Sequence, residues 1–272
     1  QRESFLKRNP SPHMFNLSAT PIPRTIALGL YGEVKISKIR AKAIKNKKIK
    51  NYVLDNTRFE KSTDWIIQRL KNNEKIFVVC PLINPNSSRP NASVLEIAQI
   101  YHQKFSSFTK ILILHGQMTA QVIQHTLDQF RSSHAAILVS TTLIAVGIDI
   151  PQAQVMIIHQ ADTFGLAELH QLRGRVGRSG KQAYCFLLSS TSGEEIQRLM
   201  LLSKYQSGLT LARHDLTLRG AGELGGLKQH GFLPIRLKNF WSLKSYLKAK
   251  TVASNLVGNP KTALMIAQEL IT

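Results

Sequence analysis

The chain has 272 residues, 36 of them Lys or Arg against 16 Asp or Glu, giving a formal net charge of +20. That length accommodates roughly two domains, and a hydrophobic content of 43% excludes wholesale disorder. No apolar run approaches the ~18 residues of a membrane-spanning helix, and the two cysteines, Cys80 and Cys185, each lie in an apolar run, which excludes a secreted disulfide scaffold and suits a reducing compartment.

The charge is uneven. Residues 1–50 hold twelve basic and two acidic groups, a local excess of +10 that is half the total. A polyanion such as nucleic acid is one partner for such a stretch; a solvated lysine-rich surface is the other reading. In chain order, His13–Ala19 reads as a lone strand, followed by the breaker-rich Thr20-Pro21-Ile22-Pro23. A strand without its own sheet is expected to belong to a neighbouring domain.

Short apolar, β-branched runs follow at Tyr52–Leu54, Ile76–Ile83, Ile111–Leu114, Ala136–Ser140, Val155–His159 and Ala183–Leu188. Between them, apolar residues recur at helical spacing over Thr63–Lys71, Val94–Phe105, Ala120–Arg131 and Ala167–Arg173. This alternation predicts an α/β domain with a parallel sheet and crossover helices on both faces. Asn84–Asn91 reads as an exposed loop. Beyond the sheet, helices are expected at Glu194–Ser207, Leu243–Leu256 and Lys261–Leu270, with a glycine-rich loop at Gly220–Gly231.

Two segments carry chemistry. In Gln171-Leu172-Arg173-Gly174-Arg175-Val176-Gly177-Arg178, two arginines three residues apart sit on a glycine-flanked turn. Their planar, permanently charged forks suit the oxygens of a transferring phosphoryl group; alone, the segment would also pass as a solvated basic turn. Upstream, a strand ends in Ser140-Thr141-Thr142 and passes into Gly147-Ile148-Asp149. Ligands bind at strand C-termini in open α/β sheets, so Thr141 and Thr142 could meet a phosphate backbone and Asp149 a ribose hydroxyl. The alternative is an ordinary turn with Asp149 as a local cap.

Taken with Ser18-Ala19-Thr20-Pro21-Ile22-Pro23-Arg24-Thr25, His115-Gly116-Gln117-Met118 and Phe164–His170, these segments resemble motifs III, V and VI and a further second-domain motif of superfamily-2 helicases. Asp215–Glu223 with Gln229-His230-Gly231 resembles a translocation motif shared by the RecG and Mfd families. Ile26–Gly32 and Val79–Ile83 favour RecG. The similarity covers nearly the whole chain, most weakly at 38–75 and after about residue 240. Departures are Ala145 in place of a usual glutamate, Ala221 in place of a proline, Gly225–Lys228, and a polybasic 35–50 stretch where the family has a proline-containing linker.

The resemblance implies a RecA-like domain at 36–190 carrying motifs IV to VI. Residues 1–35 would be the end of a first motor domain, and 191–272 a helical translocation element. Arg175 and Arg178 match arginine fingers, with Gln171 in the same motif, while Gly147 and Asp149 match positions facing nucleotide and DNA. Ser18, Ala19 and Thr20 match the segment coupling hydrolysis to domain closure, and Arg219 and Gln229 match the translocation motif.

No Gly-x4-Gly-Lys-Ser/Thr loop and no Asp-Glu pair occurs in the sequence, so the resemblance places ATP and Mg2+ mainly on an N-terminal motor domain. That domain is expected upstream of Gln1, in cis or as a separate subunit, preceded by a wedge domain that splits forks. No short Cys/His spacing marks a metal site, and no Gly-x-Ser-x-Gly marks a hydrolase elbow. Three readings follow: the C-terminal motor half of a RecG-like helicase acting on branched DNA, a DNA-binding remnant without hydrolysis, and an Mfd-like translocase. The expected compartment is a bacterial cytoplasm, with an organelle as the alternative.

Overall fold

In the computed structural model, residues 49–85, 93–145, 153–208, 210, 211, 214 and 251 are described. The chain divides into two compact units, Gln1–Pro21 with Ala43–Leu211 and Ile22–Lys42 with Ala212–Thr272; almost all described residues belong to the first. The lone strand at His13–Ala19, the polybasic stretch up to Lys48, the glycine-rich loop and the last helix at Lys261–Leu270 lie outside the described residues, as does the helix at Leu243–Leu256 apart from Thr251.

Six strands form one parallel sheet: β1 (Ile49–Leu54), β2 (Lys75–Val79), β3 (Lys110–Leu114), β4 (Ala136–Ser140), β5 (Ala153–Ile158) and β6 (Ala183–Leu188), in the order β1-β6-β5-β2-β4-β3. Every residue of β2, β4 and β5 is buried, as expected of strands covered on both faces. β2 is shorter than the apolar run to Ile83. Cys80 still donates to the Ser140 carbonyl at 2.9 Å, but Pro81 has no N–H to continue the ladder.

One face carries α1 (Asn56–Glu60), α2 (Thr63–Lys71) and α3 (Val94–Phe105); the other carries α4 (Ala120–Ser132), α5 (Leu166–Arg173) and α6 (Glu194–Lys204). Local signals fix their starts. Ser93 and Glu96 form a reciprocal capping box for α3, and the Thr119 side chain caps α4. The sequence pattern misses α1, whose five residues are too few for periodicity and which starts at the Asp55 cap. Leu199 and Leu202 of α6, together with Leu211, are fully buried in the core on the α4–α6 face, so the chain from 194 to 211 packs as part of the sheet unit.

Candidate functional site

The predicted segments meet at the C-terminal edge of the sheet. β4 ends at Ser140, and Thr141 donates its N–H to the Leu114 carbonyl at 3.3 Å, tying the ends of β4 and β3 together. Thr142–Ala145 then form a 3-10 turn with Ile144 and Ala145 buried. At the end of β3, His115 Nδ1 is buried without a hydrogen-bond partner among the described residues.

α5 brings the arginine segment to this turn. Leu166, Leu169, Leu172 and Val176 recur at helical spacing and are all fully buried, which leaves Gln171, Arg175 and Arg178 half-buried along another side. The Arg175 guanidinium donates to the Ala145 carbonyl, and Arg178 Nε donates to the Gly174 carbonyl at 3.5 Å. The chain reverses at Gly177, whose φ of +70 favours glycine and whose N–H donates to the Ala153 carbonyl at 3.1 Å. At Gly174, a Cβ would stand 3.0 Å from the Gln171 carbonyl oxygen, so the turn is built around a hydrogen there.

Three further residues brace this geometry. Glu168, in the first turn of α5, accepts hydrogen bonds from the Thr142 side chain and the Gly165 N–H, while burial raises its pKa. Arg173, only 5% exposed, donates to the carbonyls of Leu202 (2.6 Å), Tyr205 (3.1 Å) and Gln206 (3.2 Å), and burial lowers its pKa. Arg198 of α6 reaches back to the carbonyls of Asp162 (2.6 Å) and Phe164 (2.9 Å). Each guanidinium thus pairs with backbone acceptors distant in sequence, the Leu202 and Phe164 carbonyls in buried hydrogen bonds.

Residues 57–180 match the family described as the helicase conserved C-terminal domain. ATP-dependent DNA helicase RecG of Bacillus subtilis is 30% identical over 261 residues, covering 95% of this chain and 38% of that protein. RecG of Aquifex aeolicus is 37% identical over 246 residues, 88% of this chain and 31% of that one. A solved structure of RecG bound to a three-way DNA junction superposes with a TM-score of 0.64 at 31% identity, over 89% of this chain and 31% of that chain. The chain belongs to the RecG family. It spans about a third of the length of these relatives.

Within this RecG-family chain, Arg175 reaches the turn that follows Thr141 and begins at Thr142, while Gln171 and Arg178 lie half-buried in the same segment as Arg175. Gly147 and Asp149, Ser18, Ala19 and Thr20, and Arg219 and Gln229 lie outside the described residues. The sequence reading missed Glu168, Arg173 and Arg198 as framework residues. A signal for Arg173 existed: it stands four residues after Leu169 and three before Val176, on the apolar stripe of α5, where a charge must find a partner. Glu168 and Arg198 also have local partners in the Gly165 N–H and Glu195, but nothing local marks their long-range partners, 26 and 36 residues distant.

Proposed function

We propose that this chain is the part of an ATP-dependent DNA helicase that supplies the second motor domain, acting on branched DNA such as forks and Holliday junctions. The observation that carries the reading is the coupling of the arginine turn to the end of β4, through Arg175 on the Ala145 carbonyl and Glu168 on Thr142. In this reading, Thr141 and Thr142 meet the nucleic-acid backbone. Arg175 and Arg178 stabilise the charge that develops on a γ-phosphoryl group held by the opposite domain, with Gln171 beside them.

The residues present fit one side of the nucleotide. Two half-buried guanidiniums can approach phosphate oxygens, and Arg175 exchanges a neutral carbonyl for a charged acceptor, a stronger hydrogen bond. No group of His, Cys, Asp or Glu among the described residues could hold a metal ion. In this reading, Mg2+ and most of the ATP contacts fall to an N-terminal motor domain, in cis or as a separate subunit. When bound there, ATP supplies the free energy of phosphoryl transfer. This chain's residues convert that event into movement because the arginine turn, α5 and the 3-10 turn shift together.

The test is Arg178→Ala in the complete motor. DNA-stimulated ATP hydrolysis should fall by ~10³–10⁵ while binding to a three-way junction is retained. Turnover at the unsubstituted rate would overturn the assignment.

A further inference from the structure

On the face away from the arginine turn, the topology leaves a gap. β2 lies between β5 and β4; the crossover carrying α1 and α2 arrives at it from β1, and the one carrying α3 leaves it for β3 on the other side. α2 lies over β6, where Trp65 packs edge-on against Tyr184 and Phe186 with centroids 4.9 and 5.4 Å apart. α3 covers β3 and β4. Between these helices, beside the C-terminal end of β5, is a cavity of about 90 Å³. β5 and β2 are adjacent strands whose outgoing connections run in opposite directions, to β6 on one side and to β3 on the other, and the C-terminal ends of such strands are where open α/β sheets bind ligands.

The cavity's walls are apolar: Phe59 of α1, Ile66 of α2, and Ile97 and Phe105 of α3. Its polar part is a buried pair, the Tyr101 hydroxyl and His159 Nε2, which are 3.4 Å apart. An O–H···N contact of that length is well beyond the usual distance of about 2.8 Å, so a competing polar atom displaces little. Burial lowers the pKa of His159 to about 4 and raises that of Tyr101, leaving both neutral at neutral pH. At the rim, Glu60 and Lys104 approach to 3.9 Å and cancel one another's charge.

We propose that this cavity is a binding site for a small, neutral, single-ring aromatic molecule bearing a hydroxyl, whose hydroxyl engages the Tyr101–His159 pair. Volume sets the ring count, since each water needs about 10–15 Å³ on this measure and the cavity holds on the order of six. Charge beside the Tyr101–His159 pair is excluded because a carboxylate or ammonium there would be desolvated against apolar walls, with the charged Glu60 and Lys104 exposed at the rim. The site uses neither the arginine turn nor Thr141 and Thr142, so it stands independently of the helicase reading.

The experiment titrates the 272-residue chain with phenol, toluene and benzoate, following methyl resonances of Ile66 and Ile97 by NMR. Phenol should bind saturably and about tenfold more tightly than toluene, the difference expected for one hydrogen bond, and benzoate should not bind. Tyr101→Phe should remove the preference for phenol over toluene. Ile100→Trp, which fills the half-buried lining, should abolish binding of both; if its circular dichroism shows loss of fold, Thr63→Trp blocks the opposite wall instead. Absence of saturable phenol binding in the unsubstituted chain, or an undiminished phenol preference in Tyr101→Phe, would overturn the proposal. So would phenol binding that survives the folded blocking variant.

Discussion

On the α4–α6 face, Arg173 and Arg198 together donate to five backbone carbonyls, and Glu168 ties α5 to the turn after β4. On the α1–α3 face the polar groups fit less closely. Tyr101 and His159 stand 3.4 Å apart, and Arg69 and Glu74 pair at 3.3 Å while Arg69 Nε and Glu74 Oε2 stay buried without a hydrogen-bond partner among the described residues. A fully satisfied polar framework has a single low-energy arrangement, whereas a loosely satisfied one yields to a ligand. In the proposed function the first suits a lever that carries Arg175 and Arg178 as one body, and the second suits a cavity.

Four measurements would break or sharpen this contrast. The largest effect is expected from charge on the lever. Arg175→Ala in the complete motor should lower ATP hydrolysis by ~10³-fold or more with an unchanged melting temperature, while Arg173→Met should instead destabilise the fold by roughly 2 kcal/mol, because the buried Leu202 carbonyl and the half-buried Tyr205 carbonyl lose this donor. Equal stability losses for the two variants would remove the distinction between working and framework arginines. Chemical denaturation of each variant measures it.

Next comes His159. Its folded pKa of about 4 lies below the unfolded value near 6.5, so the unfolded chain binds more protons between them. The contribution of neutral His159 is fully present above about pH 6.5 and is lost as pH falls to about 4, on the order of 3 kcal/mol. Urea denaturation from pH 7 to 4 should show this slope, and His159→Gln should flatten it; an equal slope in the variant would mean that other groups carry it. A smaller effect is expected at Gly174. Gly174→Ala should cost about 1 kcal/mol, because the Gln171 carbonyl must yield a few tenths of an ångström. An unchanged melting temperature would show that the turn has slack.

The smallest effect per residue concerns the polybasic stretch. Neutralising any one of Lys35, Lys38 or Lys42 should weaken DNA binding uniformly across sequences and lower the salt slope by about 1. A slope unchanged after all three substitutions would make the stretch a solvated surface.

Much of the sheet was legible because each central strand is a short apolar run between breakers and each long helix shows one apolar stripe. α2 and α3, β4 and β6 fall on the predicted residues. The arginine turn was legible for a different reason, since Gln171, Arg175 and Arg178 lie close in sequence with glycines at 174 and 177. The Tyr101–His159 pair was not, because its members are 58 residues apart and each alone reads as an ordinary core position. α1 was missed because five residues cannot display a helical period.

The sequence alone determined the parallel α/β class, the strand-end position of Thr141 and Thr142, and the motif pattern of the RecG family, all of which depend on residue type at short spacing. Tertiary structure decided that Arg173 and Arg198 are framework while Arg175 meets the Ala145 carbonyl, that α6 packs in the sheet's core, and that a cavity opens between α2 and α3. Those outcomes depend on which distant carbonyls and apolar faces are brought together. A guanidinium has the same chemistry at every position, and only the acceptors folded around it fix which parts of the chain it ties together.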